Sequence, residues 1–225
     1  ITTEGAQHVP DQGRVMVVGN HSGGIAIDGA MVIASLFFEK DPPRLAQSML
    51  EKFITSLPFA SHLSQRFGQV AGLPEHAIQL LENDRLLVVF PEGARGTAKL
   101  YKDRYSLVRF GRGFMRLALQ TNTPIVPFAF IGGGEIFPTI ANLYSLGRLV
   151  GAPYIPITRY LLPIPVPRPC QIYYGEPMHF EGDGLETDEV IEDYTKQVKD
   201  ATAGLIEKGR QRRYQLSSGG KKNKG

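Results

Sequence analysis

Three short apolar runs constrain this chain most: Val15-Met16-Val17-Val18, Leu86-Leu87-Val88-Val89-Phe90, and Ile125 to Ile131. Each is followed at once by glycine or proline, and β-branched or aromatic side chains dominate each. Runs of this length and composition read as strands rather than helices. None alternates with polar residues, as a strand with one wet face would, so each predicts a strand covered on both sides. Between them lie helical patterns: Asp28 or Gly29 to Glu39, Pro74 to Asn83 with proline in the first turn, Gly113 to Thr121, and Glu186 to about Lys208. Short strands are expected near Arg44–Ser48, at Gln69–Gly72 and at Gln171–Tyr174, and a helix broken at Pro58 over Glu51–Phe67. Strand–helix alternation predicts an α/β fold with a mostly parallel or mixed central sheet and helices on both faces.

The 225 residues are 42% hydrophobic, enough for a single domain with a sizeable core over 1–210. The net charge is +3, yet the seven residues Lys208, Arg210, Arg212, Arg213, Lys221, Lys222 and Lys224 lie after Glu207 with no acid among them, leaving 1–207 at −4. Residues 211–225 therefore read as a disordered basic tail. Its one aromatic, Tyr214, gives little for bases to stack on, so no nucleic-acid partner is expected. The single Cys170 excludes an intrachain disulfide, and no Cys/His spacing suggests a metal site. Gly132-Gly133-Gly134 and Gly111-x-Gly113 lack the rest of a dinucleotide or P-loop fingerprint, so no cofactor is expected. The opening Ile-Thr-Thr-Glu-Gly is not a secretory leader, and no run approaches the roughly 18–20 apolar residues of a membrane span.

Two motifs sit at the ends of predicted strands, where ligands of α/β sheets gather. Asn20-His21-Ser22-Gly23-Gly24 follows the first run, with six residues separating His21 from Asp28. Phe90-Pro91-Glu92-Gly93-Ala94-Arg95-Gly96 ends the second. A histidine oriented by a carboxylate can take the proton of an attacking hydroxyl at neutral pH. Asp28 is also a good helix cap, and both readings stand at this point. Gly93 allows close backbone approach, Arg95 offers a forked cation for phosphate, and Glu92 can orient that arginine or accept from a substrate hydroxyl. Lys99 and Arg104, with Lys102, Arg109 and Arg112 nearby, form a candidate anion funnel. Ser22 lacks the Gly-x-Ser-x-Gly elbow of a serine hydrolase and is counted with the substrate-binding residues.

With these motifs in hand the chain resembles the glycerolipid acyltransferase superfamily, the lysophosphatidic acid and glycerol-3-phosphate acyltransferases, over roughly Gly5 to Pro177. Asn20-His21 and Asp28 match the family's first block, although the family spaces its His and Asp by four residues. Phe90 to Gly96 resembles Phe-Pro-Glu-Gly-Thr-Arg-Ser, with Ala94 for Thr and Gly96 for Ser. Ile125-Val126-Pro127 resembles the fourth block. The second block's arginine is absent from Gly68-Gln69-Val70-Ala71-Gly72; the diacylglycerol acyltransferase-like relatives also have a small-residue-rich first block, so the resemblance leaves diacylglycerol or another alcohol open as acceptor. The resemblance implies an O-acyltransferase with His21 as base, Asp28 as its orienting carboxylate, and Glu92, Gly93 and Arg95 at the acceptor's phosphate. It implies acyl-CoA or acyl carrier protein as donor and 1-acylglycerol-3-phosphate or a related lysophospholipid as acceptor. A lipid esterase using Ser22 or water, and a non-catalytic lipid-binding module, are the alternatives.

The proline-rich Tyr154–Pro167 stretch, with Leu161, Leu162 and Ile164, reads as irregular apolar chain at a membrane surface. The expected location is the cytoplasmic face of a membrane, held peripherally, with room for an anchor upstream of Ile1.

Overall fold

The computed structural model of the chain describes residues 1–23, 27–50, 69–71, 73–161 and 164–222. Its centre is a seven-stranded sheet in the order β1 (Thr2–Glu4), β9 (Gln171–Tyr174), β6 (Ile125–Ile131), β2 (Val15–Gly19), β5 (Leu86–Val89), β3 (Ala46–Leu50) and β4 (Gln69–Ala71). The last five are mutually parallel, whereas β9 runs antiparallel to β6 and β1 lies parallel to β9. Pro127, unexpected in a central strand, stands where its missing N–H is harmless. Its carbonyl accepts from Gly175 N–H at 2.8 Å, so its nitrogen faces the side where β9 has already ended.

The two faces of β2 show how the core divides. Val15 and Val17 pack with Val32 and Leu36 of α1 (Asp28–Glu39). Met16 and Val18 pack on the other side with Ala77 and Leu81 of α2 (Pro74–Glu82), with Phe114 and Met115 of helix Gly113–Gln120, and with Ile191 and Val198 of the C-terminal helix. Helices cover both faces, as the unbroken apolar runs required. Each such side chain contributes about 1.5–3 kcal/mol by leaving water, and truncating one, as in Leu87→Ala, costs about 2–5 kcal/mol.

Several elements depart from expectation. The second motif folds into a short helix, α3 (Ala94–Thr97), before α4 (Gly113–Gln120), and the glycine run opens another, α5 (Gly133–Ile136). The region rich in proline contains no long helix, as its prolines demand, but it is not simply irregular. β7 (Thr139–Leu143) and β8 (Ile155–Thr158) pair antiparallel around α6 (Tyr144–Leu149). The C-terminal helix α7 (Asp188–Lys222) has 35 residues, about 52 Å of rise, and runs through the expected disordered tail. Two basic residues of that tail are paired, Arg212 with Glu4 and Arg213 with Glu135, and just before it Lys208 pairs with Glu4 and Arg210 with Glu207. Those partners hold the helix beyond the point where its apolar periodicity fades. The helix expected over Glu51–Phe67 lies outside the described residues. Among the described residues, no helix is long and apolar enough to cross a membrane.

Candidate active site

His21 leaves the end of β2 between two devices that fix its main chain. Asn20 next to it continues the β2–β6 pairing with its side chain: Nδ2 donates to the Phe130 carbonyl at 3.1 Å and Oδ1 accepts from Phe130 N–H at 2.8 Å. On the other side His21 N–H donates to Glu92 Oε1 at 2.9 Å. The ring is then stacked on Phe90, with centroids 4.2 Å apart and planes within 10°. Its Nδ1 lies 2.9 Å from Asp28 Oδ2. A carboxylate can only accept here, so the proton sits on Nδ1 and the lone pair on Nε2.

Asp28 is both the orienting carboxylate and the first residue of α1. Its Oδ2 also accepts from Ser22 N–H at 3.1 Å and its Oδ1 from Gly29 N–H at 3.0 Å. Burial pushes this carboxyl up, but His21 beside it and the two backbone N–H groups outweigh burial and hold it below the ordinary aspartate value. It remains an anion under a nearly buried imidazole. The Ser22 hydroxyl reaches the same Asp28 oxygen at 3.4 Å, on the Nδ1 side of the ring. That places it with the aspartate rather than with the basic nitrogen, a poor arrangement for a serine nucleophile.

Two residues expected to meet substrate are turned inward instead. Glu92 is 1% exposed, and both its oxygens are occupied: Lys99 Nζ approaches them at 3.0 and 3.1 Å, and Val108 N–H donates to Oε2 at 2.9 Å. Lys99 also donates to the Ser106 carbonyl at 3.0 Å. Burial pushes the Lys99 ammonium down from the usual lysine value, with Glu92 opposing the shift. A buried carboxylate needs a cation, and Lys99 supplies it. Together they tie the 99–108 loop to the backbone of His21.

Gly93 turns the chain at φ 56°, ψ −152°, which only glycine adopts readily, and the turn throws Arg95 outward. Arg95 is exposed and, among the described residues, unpaired. Arg104 lies over the rings of Tyr101 and Tyr105, 4.1 and 4.8 Å from their centroids, and its Nε is 3.7 Å from Glu135. Glu135 also accepts from the Tyr105 hydroxyl and from Arg213 at 2.9 Å. Burial first, then the Glu135 contact, pushes the Tyr105 phenol up to about 12. Arg109 and Arg112 bind Glu192 and Asp188 of α7 and so do not join a funnel with Arg95.

Sequence reasoning missed the residues that matter through their shape. A Cβ on Gly96 would lie 2.5 Å from Glu92 Cβ and 2.9 Å from His21 Cβ, so the glycine that replaces the family's serine is what seats this turn against the histidine. A Cβ on Gly133 would lie 2.1 Å from Ser22 Oγ, and one on Gly134 would lie 2.5 Å from the Ser22 carbonyl. The glycine run that failed as a nucleotide fingerprint packs under the histidine loop. Its position directly after the third apolar run was the available signal.

A sheet of this topology with a His–Asp pair at its carboxyl edge defines a class. The chain belongs to the acyltransferase family, whose model matches residues 1–131. It is 36% identical over 186 residues to an uncharacterized protein of Mycobacterium tuberculosis, covering 79% of this chain and 52% of that one. It is 26% identical over 214 residues to the Bos taurus DGAT1/2-independent enzyme synthesizing storage lipids, covering 91% of this chain and 58% of that one. Among solved structures its fold matches that of the 1-acyl-sn-glycerophosphate (LPA) acyltransferase PlsC of Thermotoga maritima. The TM-score is 0.56 at 17% identity, over 92% of this chain and 70% of that chain. The chain spans about half the length of the mycobacterial relatives it matches.

Proposed function

We propose that this chain transfers a fatty acyl group from acyl-CoA or acyl carrier protein to a glycerolipid hydroxyl. The acceptor we favour is 1-acylglycerol-3-phosphate or a related lysophospholipid. The observation that carries the reading is the 2.9 Å contact between His21 Nδ1 and a buried, ionised Asp28, which leaves Nε2 as a fixed base. Nε2 removes the acceptor's hydroxyl proton as the oxygen attacks the thioester carbonyl. The carbon–sulfur bond breaks, the new ester forms, and the departing thiolate takes the proton back from the imidazolium. General-base help of this kind is worth about 10²–10⁴ in rate. Asp28 holds the tautomer and stabilises the imidazolium. No covalent acyl-enzyme is needed.

Arg95 supports a phosphate-bearing acceptor, because it is an exposed guanidinium with no partner among the described residues and neighbours Gly96, where an added Cβ would lie 2.9 Å from His21 Cβ. The Bos taurus relative's name, with the missing second-block arginine, favours a second reading in which the acceptor is diacylglycerol. Labelled acyl-CoA offered with glycerol-3-phosphate, lysophosphatidic acid, lysophospholipids and diacylglycerol separates the two. A labelled ester with a phosphorylated acceptor, lost in His21→Ala, supports the first reading; an ester formed only with diacylglycerol supports the second. Free fatty acid released without any acceptor would replace both with an esterase.

A further inference from the structure

Among the described residues eighteen large apolar side chains are exposed, and nine of them fall between Ile140 and Ile164. They share one excursion of the chain, β7–α6–β8 and the turn that follows. α6 is seated on its glycine side: Gly147 is buried, and a Cβ there would lie 2.5 Å from Tyr154 Cα. Leu146, Leu149 and Val150 therefore face out, with Leu149 81% exposed. Leu161, 77% exposed, sits at φ 64°, a conformation leucine rarely adopts. A leucine that is both strained and wet is there for something it touches outside the fold.

The charges within this segment have one sign. From Ile136 to Gly175 the sequence has no acidic residue and three arginines, Arg148, Arg159 and Arg168. All three are exposed, and among the described residues their side chains have no ionic partner. The excursion is fixed to the active-site rim. Asn142 Nδ2 donates to the Ala98 carbonyl at 2.6 Å, and the Tyr154 hydroxyl donates to Thr97 Oγ1 at 2.5 Å, at the end of the helix that carries Arg95.

We propose that this excursion is the surface by which the chain docks on an anionic phospholipid bilayer. Leu146, Leu149, Val150 and Leu161 enter the interface and Arg148 and Arg159 meet lipid phosphates. Protruding apolar side chains ringed by unpaired cations are complementary to a deformable apolar layer beneath an anionic surface. The exposed Tyr144 and Tyr160 suit the level between the two. The purpose of the surface rests on the acyl-transfer reading, since it would bring Arg95 down to lipid acceptors; its test does not.

The test is sedimentation of the whole chain with vesicles of phosphatidylcholine alone or with about one-third phosphatidylglycerol, the charge being what attracts basic residues. Wild type is expected to bind the anionic vesicles and to release as salt rises. Leu146→Asp/Leu149→Asp, folded by circular dichroism, is expected to lose at least about tenfold in partitioning, since it removes two buried apolar groups. Arg148→Gln and Arg159→Gln are each expected to lose about fivefold. Leu185→Asp, an exposed leucine outside the excursion, is the control and keeps wild-type binding. Absence of wild-type binding, equal loss in the control, or full binding by the leucine double variant overturns the proposal. So does a wild-type dimer in light scattering that the leucine variant dissolves, which would make the surface a contact between copies. Acyl transfer to detergent-dispersed acceptor without vesicle binding would sink this proposal alone; vesicle binding without transfer would sink the enzymatic reading alone.

Discussion

Beneath the rim of the sheet every charge near His21 has a partner: Asp28 has the imidazole and two N–H groups, and Glu92 has Lys99 and two more. In the 136–175 excursion the arginines have no ionic partner among the described residues, and Leu146, Leu149 and Leu161 face water. The first region is closed on itself, the arrangement the proposed general base requires, because a base that drifts by an ångström loses much of its rate advantage. The second is left open, as a surface that completes itself on something else must be. Changes in the closed region should therefore damage chemistry and stability together. Changes in the open region should spare both.

Asp28→Asn should be the most damaging. The amide keeps the shape but no longer fixes the Nδ1–H tautomer or the imidazolium, so kcat should fall by about 10³–10⁴ with KM nearly unchanged. Steady-state kinetics at saturating acyl-CoA checks this, and a fall confined to KM would remove Asp28 from the mechanism. The same residue contributes to pH dependence. Its folded pKa is depressed, so its stabilisation is present above the unfolded value of 3.8 and is lost as pH falls below that through the folded value. Urea midpoints of wild type should drop below about pH 4, near the ordinary aspartate value, and Asp28→Asn should show a shallower drop.

The buried pair comes next. Glu92→Gln or Lys99→Met alone leaves its partner uncompensated and should cost about 3–5 kcal/mol, whereas the double variant should cost less than the sum. A double-mutant cycle by urea unfolding measures the coupling. Additive costs would mean the two side chains act independently, against the observed geometry. Arg148→Gln, by contrast, should change unfolding free energy by less than about 0.5 kcal/mol.

What could be read beforehand follows the same division. The parallel core strands were legible because burial on both faces leaves an unbroken apolar run, and the pairing of His21 with Asp28 was legible because a glycine-rich turn after a strand can fold the carboxylate back to the ring. Glu92 and Lys99 were misplaced because, in one dimension, a charged residue at a glycine turn looks solvated. Only the packing of β5 against β2 shows that the carboxylate lies under His21 N–H. β1 escaped notice because Thr2-Thr3-Glu4 has no apolar signal and exists only by pairing with β9. The order of the tail escaped because the partners of Arg212 and Arg213, Glu4 and Glu135, are distant in sequence.

Gly96→Ala tests the boundary between these effects. The added methyl meets Glu92 and His21 at distances no relaxed structure keeps, so the turn must shift. A loss of about 1–3 kcal/mol in stability is expected, as for overpacking elsewhere. A matching fall in kcat is also expected, because the displaced atom is in the histidine. Wild-type kcat in a destabilised variant would show that the turn supports the fold without positioning the base.

Arg95→Ala should have the most selective effect. The side chain is exposed and unpaired among the described residues, so its removal should leave the thermal midpoint unchanged. If it receives an acceptor phosphate, KM for lysophosphatidic acid should rise about tenfold, the worth of one charge-assisted contact at a wet site, while any turnover of diacylglycerol stays as it was. Lysine at this position should restore only part of the loss, since an ammonium keeps the charge but not the fork. An equal rise in KM for phosphorylated and neutral acceptors would assign Arg95 to the donor instead and would move the acceptor phosphate elsewhere on the rim.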